Sequence, residues 1–172
     1  MKKWKVLSEV FTIDTKWVSF IYERVKDEKE NTLDYYRVKR ADSVVIIPMT
    51  DDRLLLPRAY YRHGVGKIKL DFPGGRVESG ENPVEKSKTI LLRELGIGHD
   101  EVLSIEMISD KAFLVDSSFS SQRLYISVAR LATLKNHDSV DISRHSVDKL
   151  LKDIDCLQCR FALLELVKKI GV

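Results

Sequence analysis

The sequence predicts a mixed α/β fold, of the α+β kind, in which strands come first and most of the helices follow. Short runs rich in β-branched and aromatic residues occupy the chain up to Tyr61. Helical periodicity with capping residues at its ends appears only after Gly80. The 172 residues include 44% hydrophobic and 32% charged side chains, a composition typical of a globular protein.

The first forty residues predict an antiparallel β-meander. Strand-like segments cover residues 4–13 and 17–25, and Tyr35–Val38 forms a third. A two- or three-stranded ribbon is marginal alone and exposes an edge, so a partner would stabilise it. We therefore divide the chain into a meander at residues 1–40 and a main domain at residues 41–172, which together form a single folding unit.

The main domain is predicted to contain a sheet. Ser43–Pro48 is a continuous apolar run, which predicts a strand that is buried on both faces. Residues 53–61 predict a strand that returns after the Asp51-Asp52 turn. Residues 102–108 and 123–129 predict further strands.

A helix is predicted after Glu81 because both of its ends carry signals. Asn82 is a favourable N-cap, Pro83 suits the first helical position, and Glu85 completes a capping-box pattern. Gly96 is placed to close the helix in a left-handed conformation.

Two more helices are predicted at residues 146–154 and 157–170, the second with Asp155 as its N-cap. The two cysteines of the chain, Cys156 and Cys159, form a C-x-x-C pair at that helix start. A zinc site takes about four ligands, and the sequence offers no second cysteine pair. A redox pair is chemically feasible there. The interpretation we favour is structural, with one cysteine turned into the core.

Charge and hydropathy exclude several functional classes. The formal net charge is +3, which is too small to indicate nucleic-acid binding. The longest apolar run, Val44–Met49, is far too short to cross a membrane. The basic start at Met1–Lys5 has no apolar segment behind it, so we expect no signal peptide and a cytoplasmic location.

The segment from Pro73 to Ile97 carries the most informative motif of the chain. It reads PGGRVESGENPVEKSKTILLRELGI and resembles the Nudix box, in which a glycine and a Glu precede Arg-Glu-U-x-Glu-Glu-x-Gly-U, with U aliphatic. The positions that agree are Gly75, Glu81, Leu91, Glu94, Gly96 and Ile97. Three positions differ, because Thr89 replaces the Arg, Ile90 the Glu after it, and Arg93 the first of the paired Glu.

These three differences bear on metal binding. Positions 90, 93 and 94 share one face of a helix, and hard cations such as Mg²⁺ require several oxygen ligands. Here that face carries Ile90, Arg93 and Glu94. A single acid with a cation beside it disfavours a metal cluster.

The resemblance extends to the ADP-ribose and ADP-sugar pyrophosphatase branch of the Nudix family. Tyr61-Arg62 matches a Tyr-Arg pair of that branch, Asp71–Gly75 matches its Glu-Leu-Pro-Ala-Gly, and Ser117–Arg123 matches its Ser-Pro-Gly-Phe-Ser-Asp-Glu loop. The resemblance implies a mixed sheet sandwiched between helices and a homodimer in which the meander packs on the second subunit. It also implies a nucleoside diphosphate derivative as ligand and Mg²⁺ or Mn²⁺ as cofactor if the protein is active.

The same resemblance implies site residues. The retained acids Glu94 and Glu81 take the catalytic positions. The loop Glu of the family falls on Gln122 if this loop is one residue shorter, so that Phe119 matches the family's Phe, and on Arg123 if no gap is made. Gln122 has neither charge nor basicity. The candidate metal ligands are the Gly74 carbonyl, Glu94 and, as a substitute acid, Asp116. The candidate substrate-binding residues are Arg62, Arg93, Phe119 and Gln122.

Three functional hypotheses remain open on the sequence. In the first, the protein binds a nucleotide ligand and has lost most or all hydrolase activity. In the second, it is a working hydrolase of a nucleoside diphosphate derivative with a rearranged set of acids. In the third, it is a structural or protein-binding module without catalysis.

Overall fold

A computed structural model of the protein describes residues 2–134 and 137–172. The strands in chain order are β1 (Lys5–Asp14), β2 (Ser19–Lys26), β3 (Thr32–Lys39), β4 (Asp42–Met49), β5 (Arg53–Leu55), β6 (Arg58–Arg62), β7 (Lys67–Asp71), β8 (Gly74–Val77), β9 (Val102–Met107), β10 (Phe113–Leu114), β11 (Arg123–Leu131) and β12 (Ser139–Asp141). The helices are α1 (Pro83–Leu95), α2 (Arg144–Asp153) and α3 (Leu157–Ile170).

The chain divides into two compact units. The smaller unit combines residues 1–42 with residues 114–123, and the larger unit combines residues 43–113 with residues 124–172. The loop at residues 117–123, which the sequence analysis matches to Ser-Pro-Gly-Phe-Ser-Asp-Glu, therefore belongs to the same unit as the N-terminal strands.

The smaller unit contains the predicted antiparallel meander. Its three strands pair in the order β1-β2-β3. Asp27 closes the second turn, because its Oδ1 accepts hydrogen bonds from the backbone N–H of Lys29 and of Asn31, both at 2.8 Å. On the outer strand β1, by contrast, nearly every side chain is exposed, including the apolar residues Val6, Leu7, Val10, Phe11 and Ile13.

An ion pair between a buried acid and a partly exposed arginine joins β2 to β3 in the smaller unit. Glu23 is only 6% exposed, and its two carboxylate oxygens each accept a hydrogen bond of 2.8 Å from the Arg37 guanidinium. A bidentate pair of this kind combines charge with fixed geometry. The hydrogen bond from Arg37 lowers the pKa of Glu23 below its ordinary value.

The main sheet of the larger unit is mixed. Strand β11 runs parallel to β4 and antiparallel to β9, while β4 also pairs with β5 and β8, and β5 pairs with β12. Val44 and Ile46 pack with α1 in one apolar cluster, and the alternate residues Val45 and Ile47 are equally buried. Both faces of β4 are therefore covered, as its continuous apolar sequence predicts.

The returning strand predicted at residues 53–61 is two strands in different sheets. Arg53–Leu55 pairs in the main sheet, whereas Arg58–Arg62 forms a separate two-stranded hairpin with β7. Pro57 lies between them, and a proline has no N–H to donate to a strand ladder. The proline therefore separates one apolar run into two elements.

The capping signals of α1 act as predicted at both ends. The Asn82 side chain accepts a hydrogen bond of 2.8 Å from the Val84 N–H, and Pro83 opens the helix. Gly96 closes it with a φ of 71°, in the left-handed region. Glu85 does not complete the predicted capping box, because its carboxylate accepts from the Lys88 ammonium instead.

The last two helices also form, with corrections at their starts. Helix α2 begins at Arg144, and Ser143 is its N-cap. The N-cap of α3 is Cys156 and not Asp155, because the Asp155 carboxylate pairs with Lys69 on the hairpin. Within the described ranges, no helix has both the length and the apolar character needed to cross a bilayer.

The Glu23–Arg37 pair predicts that the stability of the meander decreases at acidic pH. Since the folded pKa of Glu23 lies below 4.5, the pair stabilises the fold above that pH, and its contribution disappears as the pH falls through the folded value. We expect Glu23→Gln to cost about 1–2 kcal/mol of unfolding free energy at pH 7, from the lost charged hydrogen bonds. We also expect the variant to reduce the pH dependence of thermal unfolding below pH 4.5.

The matched control is Glu30→Gln, because Glu30 pairs with Lys26 on the surface with its side chain 77% exposed. Exposed pairs contribute little, so we expect a change within about 0.5 kcal/mol. Equal losses in the two variants would contradict the role assigned to Glu23.

Candidate active site

The Gly74–Gly75 loop is packed directly against the core of the larger unit. A Cβ atom on Gly74 would lie 2.8 Å from the carbonyl oxygen of Val44, and one on Gly75 would lie 2.9 Å from Cδ1 of Ile90. A side chain at Gly74 would meet fixed backbone, and one at Gly75 would have to displace the end of the buried Ile90 side chain. The Pro73 carbonyl also accepts a 2.9 Å hydrogen bond from the Ile46 N–H, so the loop is fixed to both β4 and α1.

The face of α1 that corresponds to the metal-binding face of the Nudix box holds a single acid. Ile90 is fully buried in the apolar cluster with Val44 and Leu91. Nη2 of Arg93 lies 2.5 Å from Oε1 of Glu94. The other carboxylate oxygen of Glu94 lies 3.4 Å from the Gly74 nitrogen. The structure therefore brings Gly74, Arg93 and Glu94 together.

The C-terminal end of α1 is surrounded by positive charge. Besides Arg93, the Arg58 guanidinium donates a 3.0 Å hydrogen bond to the backbone carbonyl of Glu94. Burial, and then the charge of Glu94, raise the pKa of Tyr60 on the neighbouring hairpin. Arg93 at the Glu94 carboxylate and Arg58 at the Glu94 backbone carbonyl thus place two positive charges at this end of α1.

Glu81 is engaged within its own loop. Its Oε2 accepts a 2.7 Å hydrogen bond from the Glu78 N–H, and its Oε1 accepts one of 2.9 Å from the Lys86 ammonium. The backbone N–H of Glu78, and then Lys86, lower the pKa of Glu81. Both oxygens thus stabilise the turn that leads into α1. The catalytic role assigned to Glu81 stays a prediction.

Arg62 lies on one face of the β6–β7 hairpin with Tyr60 and Asp71. Its guanidinium carbon sits 5.1 Å from the centre of the Tyr60 ring, and its Nε donates to Oδ2 of Asp71 at 2.5 Å. The arginine side chain remains half-exposed in this arrangement. Arg62 is therefore held in place by an aromatic ring and a buried carboxylate, which orients it without removing it from solvent.

The remaining predicted site residues lie in the loop of the smaller unit. Gln122 is 4% exposed, and its Nε2 donates a 3.0 Å hydrogen bond to the Ala41 carbonyl. Oδ1 of Asp116 accepts from the N–H and the hydroxyl of Ser118, and the Ser118 hydroxyl lowers the pKa of Asp116. Phe119 is partly exposed. The amide of Gln122 thus serves the loop's own structure, and its role in substrate binding is untested.

A cavity of about 310 Å³ lies within the smaller unit, between β3 and this loop. Its lining residues are Tyr35, Arg37, Val38, Leu114, Ser117, Ser118, Phe119, Ser120 and Ser121. The Tyr35 hydroxyl donates to the Ser118 carbonyl, and the Val38 N–H donates to the Phe119 carbonyl at 2.8 Å. These bonds hold the loop that presents Phe119.

The structure also forms a cluster that the sequence analysis missed. The thiols of Cys156 and Cys159 and a carboxylate oxygen of Asp71 lie within 4.8 Å of one another. Cys159 is buried and donates a 3.6 Å hydrogen bond to Oδ1 of Asp71. The Cys159 thiol lowers the pKa of Cys156, while the bond to Cys156 and burial raise the pKa of Cys159. The C-x-x-C spacing signalled the two cysteines, but no local pattern links them to Asp71.

Because Ile90 is fully buried, we expect a carboxylate at position 90 to destabilise the protein. We expect Ile90→Glu to lower the free energy of unfolding by about 3 kcal/mol or more, because it places a carboxylate in the apolar cluster. The control is Leu92→Glu on the same helix, where the side chain is 52% exposed and we expect a change within about 0.5 kcal/mol. Urea unfolding with and without Mg²⁺ measures both. Unchanged stability of Ile90→Glu, or full recovery with Mg²⁺, would contradict a closed helix face.

No family model matches the chain. The chain is 27% identical over 121 residues to the ADP compounds hydrolase NudE of Escherichia coli (strain K12), an alignment that covers 67% of this chain and 56% of that protein. The chain therefore spans only about half the length of this relative.

A crystal structure described as an ADP compounds hydrolase superposes on the whole chain. The TM-score is 0.80 with 19% sequence identity, and the match covers 99% of this chain and 96% of the other. Together with the glycine loop packed on a capped helix, this agreement establishes the fold. The chain has the Nudix fold and resembles the ADP-ribose and ADP-sugar pyrophosphatase branch of the Nudix hydrolases.

Proposed function

We propose that the protein binds a nucleoside diphosphate derivative and has little or no hydrolase activity. One observation carries the proposal. On the face of α1 where the Nudix box holds its metal-binding acids, Ile90 is sealed in the core and Arg93 is paired with Glu94. A hydrolase of this kind needs metal ions to neutralise diphosphate and activate water, and this face offers one acid for that task.

The available donors fit a catalytic Mg²⁺ or Mn²⁺ poorly. Hard cations of this class take about six oxygen ligands. In the larger unit the candidate donors are the Gly74 carbonyl and Glu94, and the carboxylate of Glu94 already faces Arg93. Asp116 is held by Ser118 within its own loop. The donor set supports binding without metal better than it supports metal-dependent hydrolysis.

Arginine would replace the metal charge in such a site. The guanidinium group offers a fork of donors that matches phosphate geometry, and it remains charged at any physiological pH. Arg93 lies beside the Gly74–Gly75 loop, since an added Cβ on Gly75 would sit 3.5 Å from its Nη2. Arg62 is half-exposed and oriented by Asp71 and Tyr60. These two side chains are our candidates for the phosphate contacts, with Phe119 and Gln122 retained as proposed substrate-binding residues.

A homodimer formed through residues 1–40 is part of the proposal. Strand β1 lies at the edge of its sheet, and its exposed side chains are largely apolar. Exposed edges and large apolar patches mark interaction surfaces in folded proteins. A second copy of the chain would cover this surface. We also propose the cytoplasm as the location of the protein.

A working hydrolase is the second candidate. The relative from Escherichia coli and the superposed structure are both described as ADP compounds hydrolases. Glu94 also approaches the glycine loop, with 3.4 Å between its Oε2 and the Gly74 nitrogen. If a metal binds there, the Gly74 carbonyl, Glu94 and Asp116 are the proposed ligands. A non-catalytic protein-interaction module is the third candidate.

The first test compares turnover with binding. We expect hydrolysis of ADP-ribose and of nucleoside diphosphate sugars, in Mg²⁺ or Mn²⁺, to be at least about a hundredfold slower than that of the Escherichia coli relative, the size of effect that loss of one group stabilising the transition state produces. We expect the same ligands to raise the thermal unfolding temperature without metal. Arg93→Ala should weaken that binding about tenfold or more, whereas Lys88→Ala, which removes an equal charge from the same helix, should not.

Three outcomes separate the hypotheses. Metal-dependent turnover that disappears in Glu94→Gln would establish the second candidate and overturn the first. Ligand binding without turnover supports the first. If no ligand of the panel is bound or hydrolysed, the first two candidates are wrong and the third, a non-catalytic protein-interaction module, remains.

The proposed dimer has its own test. We expect Phe11→Glu to convert the protein to a monomer in light scattering coupled to size exclusion, because it places a charge in the apolar surface of β1. The control is Leu103→Glu, an equally drastic change at an exposed position on β9, outside residues 1–40, and we expect it to leave the dimer intact. A wild-type monomer at micromolar concentration would contradict the dimer.

A further inference from the structure

Asp71, Cys156 and Cys159 form a compact cluster. The two thiols have no role in the proposed ligand site, where Asp71 acts only by orienting Arg62 through its Oδ2. All three residues lie in the larger unit. Asp71 ends β7, Cys156 is the N-cap of α3, and Cys159 lies in its first turn. Asp71 and Cys159 are 5% and 2% exposed. Buried acids and thiols brought together from distant parts of a chain require a physical reason.

The spacing of the three ligand atoms suits a small cation. Tetrahedral zinc binds thiolates at about 2.3 Å and carboxylates at about 2.0–2.2 Å, so its ligand atoms lie about 3.5–4 Å apart. The three atoms here already lie within 4.8 Å of one another. Side-chain rotations that move each ligand atom by less than about 1 Å would bring the three atoms to the spacing that zinc requires. The i, i+3 spacing places both cysteines on one side of the helix start.

The charges of the cluster balance around a divalent ion. Two thiolates and one carboxylate contribute three negative charges. A divalent cation and the Arg62 guanidinium contribute three positive charges. Arg62 binds Oδ2 of Asp71 at 2.5 Å and leaves Oδ1 facing Cys159 at 3.6 Å. A ligating carboxylate held by a hydrogen bond on its second oxygen is the usual arrangement around protein metals.

We propose that Asp71, Cys156 and Cys159 bind a zinc ion. Thiolate ligands select a soft or borderline cation, which excludes Mg²⁺ and Ca²⁺, and the carboxylate suits zinc. Cys156 is only half-buried, so the fourth coordination position is open to water. The ion would join the start of α3 to the end of β7, two residues before the Pro73-Gly74 loop. This site is independent of the Mg²⁺ or Mn²⁺ site of the hydrolase hypothesis.

A disulfide between Cys156 and Cys159 is the competing use of the same thiols. It would account for the two cysteines, but it would remove the thiol that donates to Oδ1 of the buried Asp71 carboxylate. The zinc site accounts for all three side chains, and the disulfide becomes an outcome of the experiment.

The test uses the full chain, reduced and freed of metal, and then titrated with Zn²⁺ or Co²⁺. We expect one zinc per chain by mass spectrometry and a thiolate-to-cobalt charge-transfer band in the near ultraviolet. Cys156→Ser, Cys159→Ser and Asp71→Asn should each raise the zinc Kd about tenfold or more. Asp148→Asn and Glu106→Gln should leave it unchanged, because Asp148 pairs with Arg144 and Glu106 with Lys169, away from the cluster.

A second readout covers the case in which a buried variant fails to fold. In the wild-type chain, zinc should protect both thiols from alkylation, and a chelator should reverse the protection. The proposal is overturned if zinc gives no protection, if binding persists in folded Cys156→Ser, or if folded Asp71→Asn binds as tightly as wild type. A wild-type chain that retains no zinc and forms a disulfide would overturn it in favour of the redox alternative.

Discussion

The close approach of the Gly74–Gly75 loop to the core is the constraint on which the larger unit depends. One glycine lies against the backbone of β4 and the next against Ile90 of α1, so the loop, the central strand and the helix fix one another's positions. The same contact brings the Glu94 carboxylate to the Gly74 nitrogen. Because the scaffold needs only glycine, apolar residues and a capped helix, it is independent of the acids that a hydrolase would need. The fold therefore survives substitutions on the face of α1 that alter its chemistry.

The charges around this scaffold favour anions more than cations. Arg93 pairs with Glu94, Arg58 donates to the backbone carbonyl of Glu94, and Arg62 is oriented on the neighbouring hairpin. Arginine at the C-terminal end of a helix also interacts favourably with the helix dipole. Under the function that we propose, a site built this way would gain affinity for a diphosphate group without first binding metal. Positions 90, 93 and 94 of α1 carry one carboxylate, that of Glu94.

Features set by local chemistry could be predicted from the sequence, and features set by distant contacts could not. The caps of α1 at Asn82 and Gly96 depend on neighbouring backbone groups, so the residue types at these positions predict where the helix begins and ends. The prediction of Asp155 as the N-cap of α3 was wrong, because the Asp155 carboxylate pairs with Lys69, which is far away in the sequence. The burial of Gln122 depends on the Ala41 carbonyl, and the Asp71–Cys156–Cys159 cluster depends on two elements that the fold brings together. In each case the deciding partner is more than eighty residues away.

The smaller unit is assembled from two separate stretches of chain, residues 1–42 and residues 114–123. Its loop depends on the N-terminal strands through the bonds from Val38, Tyr35 and Gln122, and these contacts are among the least local in the molecule. Contacts between such distant segments form late in folding, because their loop-closure entropy must be overcome first. A chain shortened to begin at Ser43 would keep the sheet and helices of the larger unit but would leave the loop of Asp116 and Phe119 without its supports. The N-terminal strands thus help determine when that loop acquires its structure.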